Sequence, residues 1–131
     1  DITVTDATVR ALPPGIKKTV AYMTIKNSGA ADRKLIKANS PVAKSVELHN
    51  NINDNGVMKM RQVQEIVVKA NAQAKLTAGS YHLMLIDLKQ TLKEGETVSI
   101  TLTFDDGSAK TIEVPVTGCT VYVRFSPSNA A

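Results

Sequence analysis

The chain has no tryptophan, a single cysteine and only two histidines. One cysteine excludes an intrachain disulfide, so packing must hold the fold. Three tyrosines and two phenylalanines complete the aromatic complement. Few stacking rings and no concentrated basic tract argue against nucleic-acid binding, which draws on both. The net charge of +4 is spread along the chain in short groups such as Lys17-Lys18 and Arg33-Lys34. That distribution suits a soluble surface with a weak preference for acidic partners. No run approaches the roughly 18 consecutive apolar residues of a membrane span, so membrane insertion is not expected. The opening DITVTDATVR lacks the basic and apolar regions of a secretory leader; the chain is either made without one or is a mature form.

Signatures of catalysis are missing too. There is no Gly-x-Ser-x-Gly turn, no Gly-rich phosphate loop and no paired CxxC. A Cys-His pair or a Ser-His-Asp triad is arithmetically available, but no nucleophile has a distinctive context. Asp105-Asp106 and the Glu94/Glu96 pair read as solvated turn charges. The chain is expected not to be an enzyme.

What is present is a β pattern. With 131 residues, 43% of them apolar, the chain is long enough for one cored domain spanning 1–131 and too short for two ordinary ones. The final Ser126-Pro127-Ser128-Asn129-Ala130-Ala131 offers little to bury and is expected to fray. Alternating or short apolar runs recur near every ten residues: 2–11, 19–26, 33–38, 46–50, 57–63, 65–69, 74–76, 81–88, 97–104 and 110–116. Between them stand turn signals such as Pro13-Pro14-Gly15, Asn27-Ser28-Gly29 and Asp106-Gly107. No segment carries a capped helical period. The expected class is all-β, a sandwich of two mainly antiparallel sheets with Greek-key connections. Cys119, in the apolar stretch 114–123, reads as a small buried hydrophobe, with metal binding or intermolecular pairing as alternatives.

The chemistry sits in His49, Met60, His82 and Met84. Imidazole and thioether together suit copper, above all Cu(I), while thioether adds little for zinc, magnesium or calcium. Residues 46–50 and 57–63 flank an Asn/Gly-rich loop. A four-residue loop, 53–56, would pair Ile52 with Val57 and set His49 opposite Met60, within reach of a shared ion. Met58 and Met60 share a strand face, as do His82 and Met84, because strand side chains repeat every two residues. The competing reading is local: a histidine or methionine in a strand is often satisfied nearby or fills the core, and Met23 is read as core. Spacing leaves both open. A blue-copper centre would need a cysteine thiolate beside two histidines, and Cys119 lies far downstream.

The same four residues carry a family pattern. His49, ten residues, Met60, twenty-one residues, then His82-x-Met84 resembles the motif of the periplasmic copper-A chaperones. The surrounding phrases Ser40-Pro41-Val42-Ala43, Val46-Glu47-Leu48-His49, Gly56-Val57-Met58-Lys59-Met60-Arg61 and Gly79-Ser80-Tyr81-His82-Leu83-Met84-Leu85 are similar as well, over roughly residues 5 to 116. The resemblance implies a cupredoxin-like β-sandwich in the periplasm, its signal peptide removed before Asp1. It implies a carrier holding Cu(I) on His49, Met60, His82 and Met84. The implied partners are copper donors and acceptors, above all the copper-A domain of a terminal cytochrome c oxidase during its assembly. Cu(II) has less support, because the tail after Val116 has neither His nor Met. Met58 is read as apolar rim or backup ligand. General copper buffering or resistance, or a metal-free β-sandwich that binds a partner, are the alternatives.

Overall fold

The computed structural model describes residues 2–13 and 15–118. The expectations for Cys119 and for the tail from Ser126 fall outside the described residues. Ten strands follow in order: β1 (Ile2–Arg10), β2 (Lys18–Asn27), β3 (Arg33–Asn39), β4 (Ala43–Asp54), β5 (Val57–Gln62), β6 (Ile66–Val68), β7 (Ala72–Leu76), β8 (His82–Leu88), β9 (Thr97–Phe104) and β10 (Ala109–Thr117). Alternation writes the strands directly. In β2, Thr19, Ala21, Met23, Ile25 and Asn27 are buried while the residues between them are not. β9 repeats the rhythm with Val98, Ile100, Leu102 and Phe104. Each such aliphatic or aromatic side chain removed from water contributes roughly 1.5–3 kcal/mol before ordering costs are met.

All pairings are antiparallel except β1 with β10. The strands do not divide into two separate sheets, as the sandwich expectation had it. The path β4–β8–β2–β1–β10–β9–β3 closes on itself where Ala38 of β3 pairs Val46 of β4. The result is barrel-like. Closure removes edges from the ring and places the apolar faces around one core that includes Leu35, Leu48, Leu83, Leu85, Ile100 and Phe104. β5, β6 and β7 hang on β4, β3 and β2 respectively. Asn27 shows how a polar residue is tolerated in this core. Its Nδ2 donates to the Ala31 and Val68 carbonyls, and its Oδ1 accepts from Gly29 N–H, so its burial leaves no polar atom unmatched.

The β4–β5 hairpin differs from the four-residue loop expected. β4 runs to Asp54 and turns through Asn55-Gly56 alone, so Asp54 pairs Val57 and His49 lies opposite Gln62, with Asn51 opposite Met60. Asn55 (φ 54°) and Gly56 (φ 85°) both take positive φ, the backbone of a tight primed turn that Asn-Gly fits well. Asn53 Oδ1 locks it by accepting from Gly56 N–H at 2.9 Å. The slip is two residues, and because the strand period is two, Met58 and Met60 stay on the face of His49.

At the β9–β10 turn, Asp106 accepts from the Ser108 hydroxyl and backbone N–H, with Arg33 nearby. The Ser108 side-chain hydrogen bond, ahead of the backbone one, holds the Asp106 carboxyl below its ordinary value. Its contribution is therefore present above the ordinary carboxylate range and lost as pH falls through the lowered value. At the other hairpin, Gly56→Ala meets open space but a left-handed backbone. It should cost about 1–2 kcal/mol in denaturant unfolding, whereas a change at Gly79, whose φ is not positive, should cost less. Equal losses would show that the Asn55-Gly56 turn does not set the hairpin.

Candidate metal centre

Three adjacent strands build the site. β4 pairs β8 with His49 directly opposite His82 and Glu47 opposite Met84, while β5 pairs β4 on the other side. Leu48 and Leu83, also cross-strand partners, point into the core. By alternation Glu47, His49, His82, Met84, Met60 and Gln62 share the opposite, outer face. The imidazole rings of His49 and His82 lie 5.9 Å apart, tilted by 30°. Met60 stands one step along from that pair and reaches diagonally across β4, bringing its Sδ to 3.2 Å from His82 Nε2. Met84 lies two residues beyond His82, half-buried, opposite Glu47 and Val20.

The protons on the two rings are fixed by their other partners. His82 Nδ1 is 3.0 Å from the Ser80 carbonyl. A carbonyl only accepts, so Nδ1 carries the hydrogen and, in the neutral ring, Nε2 carries the lone pair. That lone pair faces a thioether sulfur, itself a lone-pair donor, with no proton between them. A proton or a soft cation is what such an opposition calls for. His49 is set the other way round. Its Nε2 lies 2.9 Å from Glu47 Oε1, a carboxylate that accepts, so Nε2 carries the hydrogen. His49 Nδ1 is then left buried without a hydrogen-bond partner. An unpaired buried nitrogen costs about 1–3 kcal/mol unless something uses it.

Two imidazoles and two thioethers form a neutral, soft donor set. Among the described residues no group of three or more His, Cys, Asp or Glu side chains forms a metal cage, so the carboxylate-rich set a hard ion prefers is not assembled there. The residues fit a soft cation. Burial is uneven: His82 is 3% exposed, His49 and Met84 are intermediate, and Met60 is 52% exposed. The site opens toward β5.

Comparison with known proteins meets this geometry. The family model described as "Putative lipoprotein LpqE-like" matches residues 2–116. The chain belongs to this family. The same family is known from structures as PCuAC domains. The protein "Putative lipoprotein Lxx21020" of Leifsonia xyli subsp. xyli is 34% identical over 116 residues, covering 88% of this chain and 69% of its own length. The solution structure of CuI-DR1885 from Deinococcus radiodurans is 38% identical, with a TM-score of 0.70 over 85% of this chain and 74% of that one. The copper-bound PCuAC domain from PmoF2 superposes with a TM-score of 0.76, covering 90% and 93% of the two chains. At 22% identity, that last likeness speaks for the fold alone.

Within this LpqE-like chain the structure gathers His49, Met60 and His82, and sets Met84 on the same face. Sequence reasoning assigned no part to Glu47 or to the Ser80 carbonyl. Glu47 was open to discovery: it stands two residues before His49, on the same strand face. The Ser80 carbonyl carries no side-chain signal at all. Long-range 1H–15N spectra of the metal-free chain at mildly alkaline pH should show His82 as the Nδ1–H tautomer and His49 as Nε2–H. Glu47→Ala should disturb the preference of His49 only. Both rings in the same tautomer would contradict the assignment.

Proposed function

We propose that this chain is a Cu(I) carrier that holds one ion on His49, Met60, His82 and Met84 and passes it on by ligand exchange. The observation that carries the reading is the His82 Nε2 lone pair facing Met60 Sδ at 3.2 Å, with a second imidazole directly across the strand pair. A neutral N2S2 set suits Cu(I) over zinc or the hard divalent ions. A relative supports it: one solved structure, 38% identical to this chain, is described in its Cu(I) form. We read the closed strand path as a cupredoxin-like, Greek-key arrangement whose outer face, rather than its core, bears the ion.

Copper is cargo here, not a resident cofactor. We read the chain as a carrier rather than an enzyme. Thioethers suit an oxidising compartment, since they form no disulfides. A relative named as a lipoprotein supports an address outside the cytoplasm, and we place the chain in the periplasm. The acceptor we favour is the copper-A domain of a terminal oxidase; general copper buffering is the nearest alternative. Against a metal-free partner-binding module stands the unpaired His49 nitrogen, which an apolar contact surface would not require.

Titration of the reduced chain with Cu(I) against a chromophoric competitor should give one ion per chain. Replacing His49 or Met84 by an apolar residue should weaken binding at least as much as the roughly 10–100-fold that loss of an outer-shell partner costs. Failure of the wild-type chain to compete would overturn the copper reading.

Acid should weaken the site before it unfolds the protein. Each imidazole must be unprotonated to bind, whereas thioethers do not titrate in this range. Affinity should be level at alkaline pH and fall on mild acidification, while melting of the metal-free chain changes less. An affinity independent of pH would remove the histidines from the site.

A further inference from the structure

Large exposed apolar side chains concentrate at one place. Ile52, Val57, Met58 and Met60 all belong to the β4–β5 hairpin. Of these, Met58 lies on the metal face, two residues from Met60 toward the turn and opposite Asn53. It is 56% exposed. Two strand residues span about 6.6 Å, a gap that two flexible, three-torsion methionine side chains can close between their sulfurs. Nothing in the primary donor set requires Met58. Its sulfur is nonetheless the next soft donor outward from Met60.

The gradient of burial gives this placement a meaning. His82 is nearly inaccessible and Met84 half-buried, so the β8 side offers an incoming donor less access than β5 does. The open side is β5, and its exposed donors toward the turn are Met60 and then Met58. We propose that Met58 is a transfer ligand: Cu(I) enters and leaves by way of its thioether, which binds the ion transiently and is not part of the resting set. This rests on the Cu(I) reading above. In the outward step a Cu–S bond to Met58 forms as a bond to one of the imidazoles breaks. The oxidation state stays at +1, no electron moves, and the released imidazole regains its lone pair. The acceptor's soft donor then attacks an ion that is held at the rim by Met60 and Met58.

Met58→Leu tests this, because it keeps volume and apolarity while removing the sulfur. Equilibrium competition against a chromophoric Cu(I) chelator gives affinity, and stopped-flow release to excess of the same chelator gives rate. Affinity should stay within about twofold of wild type while both capture and release slow about tenfold, the effect of some 1.4 kcal/mol on a barrier. In Met60→Leu, affinity itself should fall. Met58→Leu with wild-type rates would make Met58 an apolar rim residue and overturn the proposal. A loss of affinity matching Met60→Leu would overturn it too, by making Met58 a resting ligand. A wild-type chain that binds no Cu(I) would fail the underlying reading, an outcome separate from either.

Discussion

The Ser80 carbonyl holds the proton of His82 on Nδ1, and much of the site follows from that one hydrogen bond. It turns the Nε2 lone pair toward β5, where the tight Asn55-Gly56 turn has brought Met60 Sδ within 3.2 Å. Two lone-pair atoms held at that separation are poorly matched to each other and well matched to a soft cation. Along β4, Glu47 sets the ring of His49 by the opposite nitrogen. The two imidazoles are thus oriented by different partners, one main-chain and one carboxylate. Orientation of this kind lowers the cost of binding, because the rings need not be ordered afterwards.

The fold supplies the platform for this on the face of the strands that its apolar core does not use. β8 sends Leu83 and Leu85 into the core and presents His82 and Met84 on the outside; β4 does likewise with Leu48 and His49. Each candidate ligand on these two strands therefore sits one residue from a buried leucine, on a strand paired on both sides. Substitutions of the half-buried His49 and Met84 leave those leucines in place. Met60 is the exception. It rides on β5, which hangs from β4 alone, and so the most exposed of the four candidate ligands is also on the least supported of the three strands that build the site. That combination suits a donor that must let go.

Much of this was legible in the sequence. All ten strands were marked by alternation and by their turn residues, because period two and Gly/Pro/Asn punctuation are local properties. The end of β4 was not. Asn51-Ile52-Asn53-Asp54 reads by composition as loop, yet pairing with β5, and the Asn51 N–H to Ser80 carbonyl bond, hold it extended; tertiary contacts outweighed propensity. The ring closure through Ala38 and Val46 is non-local and left no signal, so two separate sheets were expected where one continuous path exists. At the site, the ligand candidates were visible by type and spacing. Their proton arrangement was not, since it depends on a main-chain carbonyl and on a register two residues from the one inferred. Parity rescued the inference: a two-residue slip leaves every side chain on its face.

X-ray absorption at the copper edge of the Cu(I)-loaded chain tests the central claim most directly. A mixed shell of nitrogen and sulfur scatterers, losing sulfur in Met60→Leu and nitrogen in His49→Ala, is the expected result. A shell of nitrogen and oxygen alone, or one that neither substitution changes, would contradict the account.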